Sequence, residues 1–256
     1  MAKKTIRDRS VLDEISPIVD PVPRDFPELQ PFPQVNHYFS TVIFDFDGTM
    51  ADSLWVWDDI DERFCEQYGL VLPDTYIDDI NALSFEETAV FFREDLGLDM
   101  SVEEICEKFN ELAFDSYAKD VNINPGVKKY LDILSERGVK ITIATSLSWP
   151  LLEAALIHNG ILDYIDDIAF CDECKNGKIE SDVYLLAASR VGAKPRECLV
   201  FEDISAGLKS ARRCGMTACA VMLPETSGKY DSVESVRESC DFWIESFEDL
   251  VDAALS

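Results

Sequence analysis

Histidine and basic residues are scarce in this sequence. Its 256 residues include two histidines, His37 and His158, and 23 lysines and arginines against 50 aspartates and glutamates, so the formal net charge is −27. A surface this acidic repels nucleic acids and anionic membranes, and we expect neither as a partner. With so few histidines to complete a four-ligand site, the pair Cys171 and Cys174 in "CDEC" is not expected to bind zinc.

Long apolar runs are also missing. No window approaches the roughly 20 apolar residues that a membrane-spanning helix needs. No continuous apolar segment follows the basic start "MAKKTIRDRS", so we expect no secretory signal. Most of the eight cysteines lie inside apolar stretches, which is typical of reduced core residues. These features predict a cytoplasmic protein.

Regular structure is not expected at the N-terminus. Six of the eleven prolines lie between Pro17 and Pro33, and proline disfavours both helix interiors and central strands. We therefore predict an extended arm over residues 1–39. The body of the protein is predicted to comprise a core domain (residues 40–50 and 125–256) and an insert (residues 51–124).

The insert has the pattern of an all-helical domain. Trp57, Ile60, Phe64 and Tyr68 recur at steps of three and four residues and end at a glycine. "SVEE" (101–104) is typical of a helix-capping box. No strand is predicted between residues 52 and 124.

The core domain alternates strands and helices. Apolar strands are predicted at "TVIFDFD", "VKITIAT", "DDIAF", "CLVFED" and "MTACAVM", with amphipathic helices between them and an edge strand at "DFWI". This alternation predicts an α/β fold: a Rossmann-like, mainly parallel sheet with helices on both faces. Ligands of such sheets bind beyond the carboxyl ends of the strands.

Polar side chains are concentrated at those strand ends. Together with one loop lysine, the expected group is Asp45, Asp47, Thr145, Ser146, Lys178, Glu202 and Asp203. Clustered carboxylates are the hard oxygen ligands that Mg²⁺ prefers. A metal-supported carboxylate can attack phosphorus, a second one can protonate the leaving oxygen, and hydroxyl and ammonium groups can hold the phosphate oxygens. Asp45 and Asp47 are two residues apart, so they can face one substrate.

Four motifs in this order resemble those of the haloacid dehalogenase-like superfamily. They are "DFDGT", the threonine after "ITIA", the lysine of "GKIESDVY" and "FEDISAG". The resemblance implies Asp45 as nucleophile and Asp47 as general acid and base. It further implies phosphate binding by Thr145, Ser146 and Lys178, and Mg²⁺ held by Asp45, the Asp47 carbonyl and Asp203, with Glu202 in or near the metal shell. The helical insert resembles the C1 cap of this family.

Within the superfamily, "FEDISAGLKSARRCGM" resembles the β-phosphoglucomutase-like branch. The mutase has a histidine in the first cap helix and an arginine in the next cap loop, where this sequence aligns Trp57 and Phe85. It must grip a second phosphate with its cap, so this departure argues against mutase activity. We therefore predict a Mg²⁺-dependent phosphatase acting on a small phosphate ester. The acidic insert, with 20 acidic and four basic residues, favours a neutral or cationic leaving group such as a sugar or polyol. A sugar-phosphate mutase and a catalytically silent phospho-ligand binding module are the alternatives.

Overall fold

The computed structural model describes residues 39–255, apart from residues 81, 176, 225–227 and 229. The predicted N-terminal arm lies outside the described residues except for Phe39, which is buried in the hydrophobic core. Among the described residues, no helix combines the length and the apolarity needed to cross a lipid bilayer.

The described part of the chain forms strands and helices in alternation. The strands are β1 (Thr41–Phe44), β2 (Ala51–Asp52), β3 (Asn122–Ile123), β4 (Lys140–Thr145), β5 (Asp167–Phe170), β6 (Cys198–Glu202), β7 (Thr217–Val221) and β8 (Phe242–Ile244). The α-helices are α1 (Leu54–Tyr68), α2 (Tyr76–Ile80), α3 (Phe85–Glu94), α4 (Val102–Lys119), α5 (Val127–Glu136), α6 (Trp149–His158), α7 (Asp182–Arg190), α8 (Ser205–Arg213), α9 (Val233–Ser239) and α10 (Phe247–Leu255).

Six strands form one sheet in the order β5-β4-β1-β6-β7-β8, and all five pairings are parallel. Successive residues of a strand face opposite sides of the sheet. Phe44 accordingly packs in one hydrophobic cluster with Phe247 of α10, and Ile43 packs in a second cluster with Val183 of α7. Helices thus cover both faces of a buried parallel sheet, which confirms the predicted α/β fold.

The helical insert contains α1 to α4 and has an aromatic core. Phe92 packs against Phe64 and Phe109 with ring centroids 5.3 and 5.2 Å apart. The predicted capping box at Ser101 and Glu104 is confirmed, since each side chain accepts a hydrogen bond from the other residue's backbone N–H.

The prediction of no strand between residues 52 and 124 is wrong. β2 and β3 form a two-stranded antiparallel ribbon in which Asp52 lies opposite Asn122 and Ala51 opposite Ile123. Strands of two residues are too short to produce an alternating pattern in the sequence. The ribbon joins both ends of the helical insert to the core.

Candidate active site

The carboxyl ends of three neighbouring strands carry most of the predicted site. Asp45 follows β1, the central strand of this group. Thr145 ends β4 on one side of it, and Glu202 ends β6 on the other. Parallel strands place their carboxyl ends at one edge of the sheet, so residues separated by more than 100 positions in the chain become neighbours.

Asp45 is buried and ion-paired. Its Oδ1 accepts a hydrogen bond from the Nζ of Lys178, which is equally buried. Burial raises the pKa of Asp45 to about 8, while the Lys178 ammonium acts in the opposite direction. A deprotonated Asp45 therefore depends on positive charge close to it.

Glu202 holds the other side of Lys178. The Nζ of Lys178 lies 2.6 Å from Glu202 Oε1, which also accepts a hydrogen bond of 3.0 Å from the Tyr184 hydroxyl. Glu202 Oε2 accepts from the backbone N–H groups of Asp203 and Ile204 at 2.8 and 3.0 Å. Four donors occupy the acceptor positions of this carboxylate. We therefore interpret Glu202 as a residue near the metal shell that fixes Lys178.

Asp45 and Asp203, with Glu202 beside them, form a candidate metal centre. One carboxylate oxygen from each residue lies within 4.8 Å of those from the other two. Burial, followed by the charges of Glu202 and Asp45, raises the pKa of Asp203 well above its ordinary value. A divalent cation would relieve this repulsion, and ligands that are all carboxylate oxygens suit Mg²⁺.

Gly48 makes room for this centre. Its φ is +74°, and a Cβ at this position would lie 2.3 Å from Asp203 Oδ2. Only glycine combines this backbone conformation with the close approach. The glycine of "DFDGT" is thus required by the carboxylate next to it.

Asp47 has a different set of partners. Its Oδ1 accepts hydrogen bonds from the Ser53 hydroxyl at 2.5 Å and from the Tyr117 hydroxyl at 2.6 Å. Burial raises the pKa of Asp47, and these two hydrogen bonds oppose the rise. Ser53, Tyr117 and Tyr184 were not among the predicted site residues. No spacing rule links a helical tyrosine such as Tyr117 to an aspartate 70 residues away.

Thr145 and Ser146 lie beside the ion pair. The Thr145 hydroxyl accepts a hydrogen bond of 3.0 Å from the Leu147 N–H, and the Ser146 hydroxyl donates to Cys171 Sγ at 3.4 Å. Burial raises the pKa of Cys171 to about 12, so its thiol stays protonated near neutral pH. Cys171 and Cys174 are both free cysteines.

One cavity of about 160 Å³ connects the sheet edge with the helical insert. Six of the seven predicted site residues line it, and only Glu202, behind Lys178, does not. The insert contributes aromatic and acidic side chains: Trp57, Asp58, Asp61, Tyr76, Phe85 and Phe109. Among the described residues that line this cavity, Lys178 is the only one with a positive charge.

Buried carboxylates and a lysine that share a cavity at the carboxyl edge of a parallel sheet are the groups that phosphoryl transfer uses. The sequence model of the haloacid dehalogenase-like hydrolases matches residues 42–221. The chain belongs to this family.

Two similar proteins are named phosphatases of phosphorylated carbohydrates or hexitols. The phosphorylated carbohydrates phosphatase of Thermotoga maritima is 27% identical over 175 residues, which are 68% of this chain and 81% of the relative. Hexitol phosphatase A of Escherichia coli (strain K12) is 28% identical over 201 residues, 78% of this chain and 90% of the relative. Family and relatives together identify a phosphatase.

The solved structures place it within the family. The crystal structure of a Thermotoga maritima protein assigned as a β-phosphoglucomutase is similar, with a TM-score of 0.61 and 25% identity. The match covers 82% of this chain and 96% of that one. The chain thus lies in the β-phosphoglucomutase-like branch, as its last motif predicts.

Proposed function

We propose that this phosphatase hydrolyses a small phosphate monoester through a phosphoryl group carried on Asp45. The observation that supports this most is the burial of Asp45 between Lys178 and the Asp203 carboxylate, at the floor of the cavity. An unpaired buried carboxylate is costly, and an assembly of this kind is rarely retained without a use.

The reaction has two steps. In the first, an Asp45 oxygen attacks phosphorus, the bond between phosphorus and the ester oxygen breaks, and Asp47 gives its proton to the leaving oxygen. In the second, Asp47 takes a proton from water as the water oxygen attacks phosphorus, which releases phosphate and restores Asp45. Lys178, Thr145 and Ser146 bind the phosphate oxygens in both steps.

The residues at the sheet edge fit a magnesium ion. Asp45, Asp203 and the backbone carbonyl of Asp47 would hold it, with Glu202 behind them. When bound, the ion supplies positive charge that offsets the repulsion between the Asp45 carboxylate and the phosphate oxygens.

For the substrate, we propose a monophosphorylated sugar or polyol. Lys178 is committed to the reacting phosphate, and the part of the cavity formed by the insert offers Asp58 and Asp61, which repel a second phosphate. Trp57 and Phe85 line this part of the cavity with ring centroids 6.0 Å apart, at the positions where the mutase places its basic residues. The relatives that act on phosphorylated carbohydrates and hexitols support this class of substrate.

The test is phosphate release from 4-nitrophenyl phosphate and from a panel of sugar and polyol monophosphates, with Mg²⁺ and with excess chelator. We expect Asp45→Asn and Asp47→Asn to abolish release in Mg²⁺ with little change in thermal melting. Asp99→Asn, an exposed aspartate away from the cavity, is the control and should keep full activity. More than a tenth of the wild-type rate in Asp45→Asn, with an unchanged melting curve, would refute the covalent step.

The cellular location stays a prediction. The eight cysteines all lie among the described residues and none of them is in a disulfide, which is consistent with a reducing compartment such as the cytoplasm.

A further inference from the structure

Among the described residues, the hydrogen bonds to the Asp47 carboxyl group all reach one of its two oxygens. The hydroxyls of Ser53 and Tyr117 both donate to Oδ1, at 2.5 and 2.6 Å. A carboxyl oxygen has two acceptor positions, so these donors fill Oδ1. A proton on Oδ1 would displace one of them, and the proton of the acid form therefore belongs on Oδ2.

The two donors come from opposite ends of the helical insert. Ser53 directly follows β2, and Tyr117 lies in the last turn of α4, shortly before β3. β2 and β3 are paired with each other, with Asp52 opposite Asn122. The junction between insert and core thus brings both hydroxyls to one oxygen of the core.

Both donors are enclosed by the protein. Ser53 and Tyr117 are fully buried. The Tyr117 ring packs against Trp57 at a centroid distance of 6.2 Å and an interplanar angle of 56°. Trp57 also lines the cavity, so the packing that fixes Tyr117 is continuous with the wall of the leaving-group site.

We infer that Tyr117 and Ser53 are positioning residues for the acid step of the proposed phosphatase reaction. They lock the carboxyl group of Asp47 so that Oδ2 presents its proton to the leaving oxygen. When the bond between phosphorus and oxygen breaks, its electron pair stays on the leaving oxygen and takes the proton from Oδ2. The two hydroxyls then stabilise the carboxylate that remains, through Oδ1.

The test compares two leaving groups that differ in basicity. An alkoxide needs the proton, whereas 4-nitrophenolate is a weak base and leaves without it. We compare kcat/KM for 4-nitrophenyl phosphate and for the alkyl phosphate of the panel that the wild type hydrolyses fastest, because kcat/KM excludes the later attack by water. Tyr117→Phe should lower the alkyl value at least about tenfold and the aryl value less than about threefold. Ser53→Ala should show the same asymmetry, and this keeps the test valid where one variant folds poorly.

The matched control is Tyr130→Phe. Tyr130 is also a fully buried tyrosine, and its hydroxyl makes no hydrogen bond among the described residues. This variant should leave both kcat/KM values within about twofold of the wild type. If Tyr117→Phe and Ser53→Ala lower kcat/KM equally for both substrates, or for neither, the positioning inference is overturned and the proposed function stands. A wild-type protein inactive on both substrates would overturn the proposed function and the inference with it.

Discussion

The sheet edge and the helical insert line the same cavity with different kinds of side chain. On the sheet side, Asp45, Glu202 and Lys178 are buried and bonded to one another, and their geometry is held by strand ends. On the insert side, most lining side chains are aromatic or aliphatic, and the carboxylates Asp58 and Asp61 are more accessible to solvent. The difference is consistent with the proposed function, in which the sheet edge carries the chemistry on phosphate and the insert selects the leaving group.

The acidic residues of the two halves also differ in their exposure to solvent. Each of the four cations of the insert is paired with an exposed carboxylate of the insert itself, at Arg63, Arg93, Lys108 and Lys119. Such pairs contribute little to stability and are screened by salt. The carboxylates of the sheet edge are buried, where their repulsion is strong and where a cation has a large effect.

The largest expected effect concerns the metal centre. Asp203→Asn removes one carboxylate with no change of side-chain volume, and we expect kcat/KM in Mg²⁺ to fall about a thousandfold, or roughly 4 kcal/mol of transition-state stabilisation. The magnesium concentration at half-maximal activity should rise. A variant with the wild-type dependence on Mg²⁺ would exclude Asp203 as a ligand.

The melting temperature of Asp203→Asn tests the repulsion among the buried carboxylates. The pKa of Asp203 is raised above its ordinary value of 3.8 in the folded protein. The folded state therefore keeps a proton that the unfolded chain loses, and the free energy of unfolding falls as the pH rises above about 4. In chelator at pH 7, Asp203→Asn should melt above the wild type, and the difference should shrink towards pH 4. A lower melting temperature of the variant at pH 7 would contradict this.

The next effect concerns the buried lysine. Lys178→Met preserves most of the side-chain volume but leaves Asp45 and Glu202 without their cation. Breaking a buried pair in this way should lower the free energy of unfolding by about 3 kcal/mol. Lys119→Met, which breaks an exposed pair with Asp115, should change it by less than about 1 kcal/mol. Urea denaturation measures the free energy of unfolding of both variants. Equal decreases in the two variants would remove the contrast between the two regions.

The smallest effect concerns selectivity. We expect kcat/KM for a sugar monophosphate to exceed that for the bisphosphate of the same sugar at least about tenfold, or roughly 1.4 kcal/mol. Asp58→Asn should reduce this ratio, and so should added salt, while Asp99→Asn should leave it unchanged. A preference for the bisphosphate, or transfer of phosphate between two hydroxyls of one sugar, would instead favour the mutase.

The sequence predicts the residues at strand ends better than the residues that reach the site from helices. The strands β1, β4 and β6 are apolar runs with polar ends, and topology brings those ends together, so Asp45, Thr145 and Asp203 are predictable from local patterns. Tyr117 and Tyr184 reach the site from helices, where tyrosine is an ordinary residue, and only tertiary packing shows their contacts with Asp47 and Glu202. α10 was missed because its short apolar pattern follows the last predicted strand directly.

The β2–β3 ribbon has a consequence for how this protein can diversify. The pairing of Asp52 with Asn122 holds the two ends of the insert next to each other. The core is therefore connected to the same two paired strands whatever segment lies between them. Lengthening a loop whose ends already touch costs little entropy, and sites of this kind accept inserted domains. New substrates can therefore be acquired by exchanging the helices between the ribbon strands, while the strands that carry Asp45 and Asp203 stay unchanged. In the positioning role inferred for them, Ser53 and Tyr117 limit that exchange, because a replacement insert would have to supply equivalent donors to Asp47.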